Sequence, residues 1–280
     1  MRRPSAFTLV ELLVVIGIIT VLISILLPSL GKARQAAQST ACLSNLRQIG
    51  IAFVAYTNES RGVPPPGWFA TSDQPGWGQR GWFMDPPTSS GAGAYSTYFL
   101  SKWLGNTKRI YVCPTANELT DPNAARCAGT PFTGWQPWNI TYVFPNRVFG
   151  DPLSYGYNNW LENNRVLKAS AVEGSTAPEG FIAKITQVRN NSNVPVFADS
   201  KWGDIMTPAD TNLLPPLSVQ QQPYAWWMGA SPYGSMATVA MQRHKDGINV
   251  VFADGSARQV GIRQLWSLQW SRVFKTRPTY

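Results

Sequence analysis

The residues able to do chemistry in this chain are few, and their positions limit what that chemistry is. His244 is the single histidine, and Cys42, Cys113 and Cys127 are the three cysteines. One histidine excludes any site that needs two, including the HExxH arrangement of zinc hydrolases. Three cysteines cannot complete a four-cysteine metal site within one chain. A lone histidine and scattered cysteines spell no ligand cluster, so no bound metal is expected. Asp199, Asp246 and Asp254 are the candidate carboxylates for a cation. Nine residues separate His244 from Asp254-Gly255 in the run RHKDGINVVFADG. Residues 248–253, if extended, span about 20 Å at about 3.3 Å each. His244 and Asp254 then sit at opposite ends of one strand and do not touch. His244 reads as the anchor of one turn, and Asp254-Gly255 as the other turn. No nucleophile, base and orienting group are set together, so no catalytic residue is assigned.

A different kind of chemistry is suggested at the N-terminus. Leu12–Leu27 is sixteen residues without a charge, and Glu11 stands immediately before it. Counted from Phe7, the apolar segment covers a hydrocarbon core of about 30 Å at about 1.5 Å per residue. A carboxylate near the start of a spanning helix costs a few kcal/mol or more if it meets lipid alone. Glu11 therefore calls for a partner. Arg2 and Arg3 precede the segment, and Lys32 and Arg34 follow it. A short basic leader stays cytoplasmic, which puts the C-terminal bulk outside. An ordinary secretory signal would need a small-x-small cleavage site after the core, and Ser29-Leu30-Gly31 is a poor one.

The run Ala6-Phe7-Thr8-Leu9-Val10-Glu11 followed by an apolar helix resembles the N-terminus of type IV prepilins and type II secretion pseudopilins. The resemblance implies that a prepilin peptidase cuts between Ala6 and Phe7 and methylates the new amine of Phe7. It implies that Glu11 is the assembly carboxylate, paired with the N-terminal amine of a neighbouring subunit. The family usually has glycine before the cut, where this chain has Ala6. The stretch Ala41–Gly50 and the His244-x9-Asp254-Gly255 signature resemble a pseudopilin-like family abundant in planctomycete-type bacteria. Pro195–Asp199 and Ser154-Tyr-Gly-Tyr157 are also similar there. Partners implied by the resemblance are the peptidase, other pseudopilin subunits, an inner-membrane assembly platform and the lipid bilayer. No cofactor is implied, although calcium stays open because some secretion pseudopilins bind it in this domain.

The elements that position these residues follow from periodicity and punctuation. Pro28 should bend or loosen the helix. Beyond it the helix is expected to continue to about Asn58. Cys42, Leu46, Ile49, Phe53 and Tyr56 form one apolar stripe that should lie on the globular part, with Lys32, Arg34, Gln38 and Arg47 left polar. Gly62-Val-Pro-Pro-Pro-Gly67 ends the helix. Val194–Ala198, Ile248–Ala253 and Ser256–Val260 read as strands. Asp254-Gly255 between two of them predicts a hairpin with a type I′ turn. An amphipathic helix is expected over roughly Ile262–Phe274. Cys113 and Cys127 enclose thirteen residues, a loop whose closure contributes about 3 kcal/mol in the chain-entropy model. Cys42 with either of them is the rival pairing, and spacing leaves these alternatives open. Cys42 itself, lying on the stripe, reads as a small buried hydrophobe.

Composition removes other classes. The 280 residues are 44% hydrophobic and 14% charged, too apolar for a disordered polymer and too mixed for a polytopic membrane protein. The net charge is +9. Its basic residues are scattered, and the first 60 residues hold only Glu11 and Glu59 as acids, so nucleic acid is not an expected partner. No GxxxxGK[ST] or GxSxG occurs. The single GxGxxG, Gly76–Gly81, follows no apolar strand and reads as a loop. All twelve tryptophans lie from Trp68 onward. They read as packing residues, with Gly76–Trp82 and Ala225–Met228 the first places to look for a glycan platform.

Together these readings predict an α+β, pilin-like chain. Residues 1–6 are the leader, 7–27 the transmembrane half of a long helix, 28–60 its extramembrane half, and 61–280 the globular domain. The expected function is a structural filament subunit, not an enzyme, in the inner membrane with its domain periplasmic or extracellular. The alternative is an anchored surface binding module, glycans being one class of ligand.

Overall fold

In the computed structural model, the described residues are 8–65, 100–104, 108–116, 118, 129–133, 153–161, 180–205, 217–221, 234–245 and 247–277. A single helix, α1, runs Leu9–Glu59. Thr8 caps it: its hydroxyl accepts from the Glu11 N–H, while the Glu11 carboxylate accepts from the Thr8 N–H. Pro28 lies inside the helix, which continues past it. The helix ends in a Schellman arrangement. Gly62 N–H donates to the Thr57 carbonyl at 2.6 Å, and Arg61 N–H to Asn58 at 3.4 Å. Arg61 and Gly62 both have positive φ.

The two halves of α1 differ in what surrounds them. The large apolar residues from Leu9 to Leu30 are exposed. Beyond them Cys42, Leu46, Ile49, Ala52 and Phe53 are buried. Tyr56, the last residue of the expected stripe, is partly buried against the same core. Lys32, Arg34 and Arg47 remain exposed, as their place off the stripe requires.

Five strands form one sheet in the order β3-β1-β2-β4-β5. They are β1 (Tyr155–Asn158), β2 (Pro195–Asp199), β3 (Asp204–Ile205), β4 (Gly247–Phe252) and β5 (Ala257–Gly261). Four strands are mutually antiparallel, and the two-residue β3 adds a parallel edge to β1. The sheet separates two cores. Val251 and Ala253 share the first with α1, Tyr155, Tyr157 and Phe197. Ile248, Val250 and Phe252 face the second, with Met236, Trp266, Trp270 and Phe274. The period-2 alternation of β4 thus supplies both layers.

Two expected elements differ. The β4–β5 turn is not type I′, because only Gly255 has positive φ. Gly255 N–H donates to the Phe252 carbonyl and Phe252 N–H to Ser256, which is a type I turn closed by a glycine bulge. Asp254 secures it by accepting from the Ser256 N–H and hydroxyl. The C-terminal segment is a 3-10 helix over Ile262–Ser267, after which the chain is irregular. Its apolar residues are buried as expected, but its backbone groups bond outside a helical ladder. The Trp270 indole donates to Leu265 O, Gln269 N–H to Asn193 O and Arg277 N–H to Trp266 O.

The hairpin turn meets α1 at Gly50. A Cβ on Gly50 would come within 2.3 Å of Val251 Cγ2 and 3.0 Å of the Gly255 carbonyl oxygen. Gly50 is tolerated in mid-helix because only hydrogen fits between helix and hairpin. Gly50→Ala is expected to lower stability by about 1–2 kcal/mol, overpacking outweighing the gain in helix propensity. Urea unfolding should show Val251→Ala costing less in the Gly50→Ala background than alone. Simple additivity would mean that the two side chains do not compete for one space.

Candidate functional site

The site is built where β2, β4, α1 and the 108–116 segment converge. Asp199 ends β2, and Arg243 and His244 precede β4 across a tight turn in which Lys245 has positive φ. His244 bridges to Gly247, and its carbonyl accepts from Gln259 on β5. A Cβ at Gly247 would meet the Val260 carbonyl oxygen at 2.6 Å, so this turn also requires glycine. Cys42 on α1 and Cys113, which follows the 3-10 helix Lys108–Tyr111, complete the cluster.

Cys42 and Cys113 are joined in a disulfide. This corrects the expected Cys113–Cys127 loop and selects one of the rival pairings. Cys42 is buried on its stripe and is covalently committed as well. Cys127 lies outside the described residues. The physical reason is that α1 and the 108–116 segment pack on one core, which brings Cys42 to Cys113. His244 Nε2 lies 3.5 Å from Cys113 Sγ and 3.3 Å from Asp199 Oδ2. The ligating atoms of Cys42, Cys113 and His244 all fall within 4.8 Å of one another. Residues with no ligand spacing in sequence are therefore assembled by the fold.

Arg243 is wholly buried and spreads its donors over three chain segments. Nε donates to Pro131 O at 2.7 Å. Nη2 donates to Ser200 O at 2.8 Å and Thr130 O at 3.4 Å. Nη1 donates to Ser154 O and reaches Asp199 Oδ1 at 3.3 Å. Burial lowers the Arg243 pKa, and the Asp199 charge opposes that effect. Asp199 also accepts from the Asn249 N–H at 2.7 Å. Tyr155 donates to Cys42 O, and burial followed by the Asp199 charge raises its phenol above the usual range. Lys201, buried nearby, donates to Gln220 O and is pulled down to about 8 by burial and by Arg243.

His244 and Asp254 stand at opposite ends of β4, as the strand length requires. Each end of that strand touches α1: His244 beside the disulfide at Cys42, and the Asp254-Gly255 turn at Gly50. Asp199 and Asp254, two of the candidate carboxylates for a cation, are placed apart by the same geometry. Asp199 is buried against Arg243 and His244, whereas Asp254 is exposed beyond the far end of β4. Asp246 lies outside the described residues. So do Ala6, Phe7, Gly76–Trp82 and Ala225–Met228. Arg243 and the Gly50 contact went unassigned from sequence, although an isolated glycine inside Ala41–Gly50 is a signal of close backbone approach.

At the N-terminus, residues 1–27 match the family described as "Prokaryotic N-terminal methylation motif". Residues 31–88 match the family described as "Protein of unknown function (DUF1559)". No curated protein and no solved structure matches the chain. The apolar helix and the motif define a membrane-anchored, prepilin-type chain with its domain on the secreted side. The two matches lie one after the other, the methylation motif over the first part of α1 and the DUF1559 match from its extramembrane half onward. The motif implies processing by a prepilin peptidase.

Proposed function

We propose that the processed chain is a pseudopilin-like structural subunit that assembles, through the apolar half of α1, into a type II secretion or type IV pilus-like filament. In this reading it is a substrate of the peptidase and not itself a catalyst. Its other partners are further pseudopilin subunits and the inner-membrane platform. The observation that carries it is the exposed apolar length of α1 headed by a single carboxylate. Within one chain Glu11 is held by its own Thr8, whose N–H and hydroxyl donate to Oε2 at 2.9 and 2.7 Å. A neighbouring chain's amine, brought alongside by a stagger of about one helical turn, would exchange these neutral donors for a charged one. The pair also costs less in lipid than either charge alone. Exchange of that kind sets register as well as attraction.

Glu11→Ala is expected to insert in the membrane normally and to be lost from sheared filaments, with at least about a ten-fold drop in incorporation if one buried pair is removed. Mass spectrometry of the mature wild-type chain should find methylated Phe7 at its start. Normal incorporation of the variant would refute the role of Glu11, and an N-terminus at Met1 would refute the processing.

A further inference from the structure

The disulfide, the single histidine and a buried carboxylate form a second centre that filament assembly does not use. Cys42 and Cys113 are fully buried and His244 nearly so. In a tetrahedral zinc site, bonds of about 2.3 Å to sulfur and about 2.0 Å to nitrogen place neighbouring sulfur and nitrogen about 3.5 Å apart. His244 Nε2 stands 3.5 Å from Cys113 Sγ and 3.3 Å from Asp199 Oδ2. The first separation is that of a coordination edge.

We propose that Cys42, Cys113 and His244, before the two sulfurs are joined, bind a thiophilic cation such as zinc, with Asp199 beside His244 as a carboxylate that orients the imidazole. Soft thiolates and an imidazole select this class over calcium or magnesium. On binding, the two thiols release two protons, and the cation gains two thiolates and a neutral imidazole. Two thiolates neutralise a divalent cation, and Arg243 already balances Asp199. The site therefore adds no net charge to the core.

Oxidation ends the metal-bound state. The two thiolates pass two electrons to an external protein disulfide, which takes up two protons and becomes a dithiol. The Cys42–Cys113 bond forms and the cation leaves. Cation and disulfide are thus alternative fastenings of α1 to the 108–116 segment, one for the reduced chain and one for the oxidised chain. This inference does not depend on filament assembly.

The test uses the full-length chain in detergent micelles with Cys127→Ser, so that only the two clustered thiols remain. The chain is reduced anaerobically, freed of reductant and titrated with zinc against a chromophoric chelator. Cobalt replaces zinc to read thiolate coordination by absorption. One zinc per reduced chain and none per oxidised chain are expected, with native circular dichroism in both. His244→Gln should weaken zinc binding at least about ten-fold, and zinc should slow alkylation of both cysteines. Equal uptake by the oxidised chain would overturn the proposal. So would unchanged affinity in His244→Gln, no stoichiometric uptake by the reduced chain, or a reduced chain that zinc fails to restore to native circular dichroism.

Discussion

Arg243→Met is expected to destabilise the globular domain by about 3–5 kcal/mol, because it strands a buried carboxylate and several buried carbonyls at once. The guanidinium lies between residues 130–131, Ser154 and the end of β2, and donates into each. Methionine fills comparable space but donates nothing. Among the described residues, Asp199 then keeps His244 and the Asn249 N–H beside it. Lysine is not a rescue, since a single ammonium cannot reach in these directions together. The effect separates into charge and hydrogen bonding by a double-variant cycle. Asp199→Asn in the Arg243→Met background removes the uncompensated charge and should cost less than Asp199→Asn alone. Urea unfolding followed by tryptophan fluorescence reads both. A loss below about 1 kcal/mol for Arg243→Met would show that water replaces the guanidinium, and that the cluster is not the dry junction its burial indicates.

The parts of this architecture legible in sequence are those governed by local pattern. A charge-free run of sixteen residues reads as a membrane helix, a secretory signal or a buried helix, and the Ala6–Glu11 motif at its head selects the first. The stripe Cys42–Leu46–Ile49–Phe53 follows from 3.6-residue periodicity, and the β4–β5 hairpin from two strand runs about Asp254-Gly255. What failed was set by tertiary competition. The turn type changed because a glycine bulge lets the hairpin turn approach Gly50 closely. The C-terminal helix is shorter because Asn193 O takes the Gln269 N–H, while the Trp270 indole and the Arg277 N–H take the Leu265 and Trp266 carbonyls. The ionic cluster was invisible because Asp199, Arg243 and Cys113 are brought together only by the sheet. Arg243 looks in sequence like any other member of a scattered basic set, and nothing local says that it is buried.

Removing the Cys42–Cys113 bond is expected to cost about 4 kcal/mol in the chain-entropy model, since the sulfurs are 71 residues apart in sequence. The double variant Cys42→Ser, Cys113→Ser should therefore lower the urea midpoint strongly, whereas Cys127→Ser, which breaks no bond in this pairing, should lower it much less. If Cys113 were paired with Cys127, the order would reverse: Cys127→Ser would be costly and Cys42→Ser nearly silent. The consequence reaches the helix as well as the midpoint. Extramembrane α1 is held at Cys42 by the disulfide and at Gly50 by the hairpin turn, eight residues or about 12 Å along the axis. Tyr155 adds a hydrogen bond to Cys42 O. Loss of the covalent point leaves the Gly50 contact and the apolar stripe, which can open locally before the sheet unfolds. Amide exchange in residues 36–46 should then accelerate more than exchange in β4. Equal acceleration in both would mean that helix and sheet open as one unit, and that the bond stabilises the domain only through its unfolded chain.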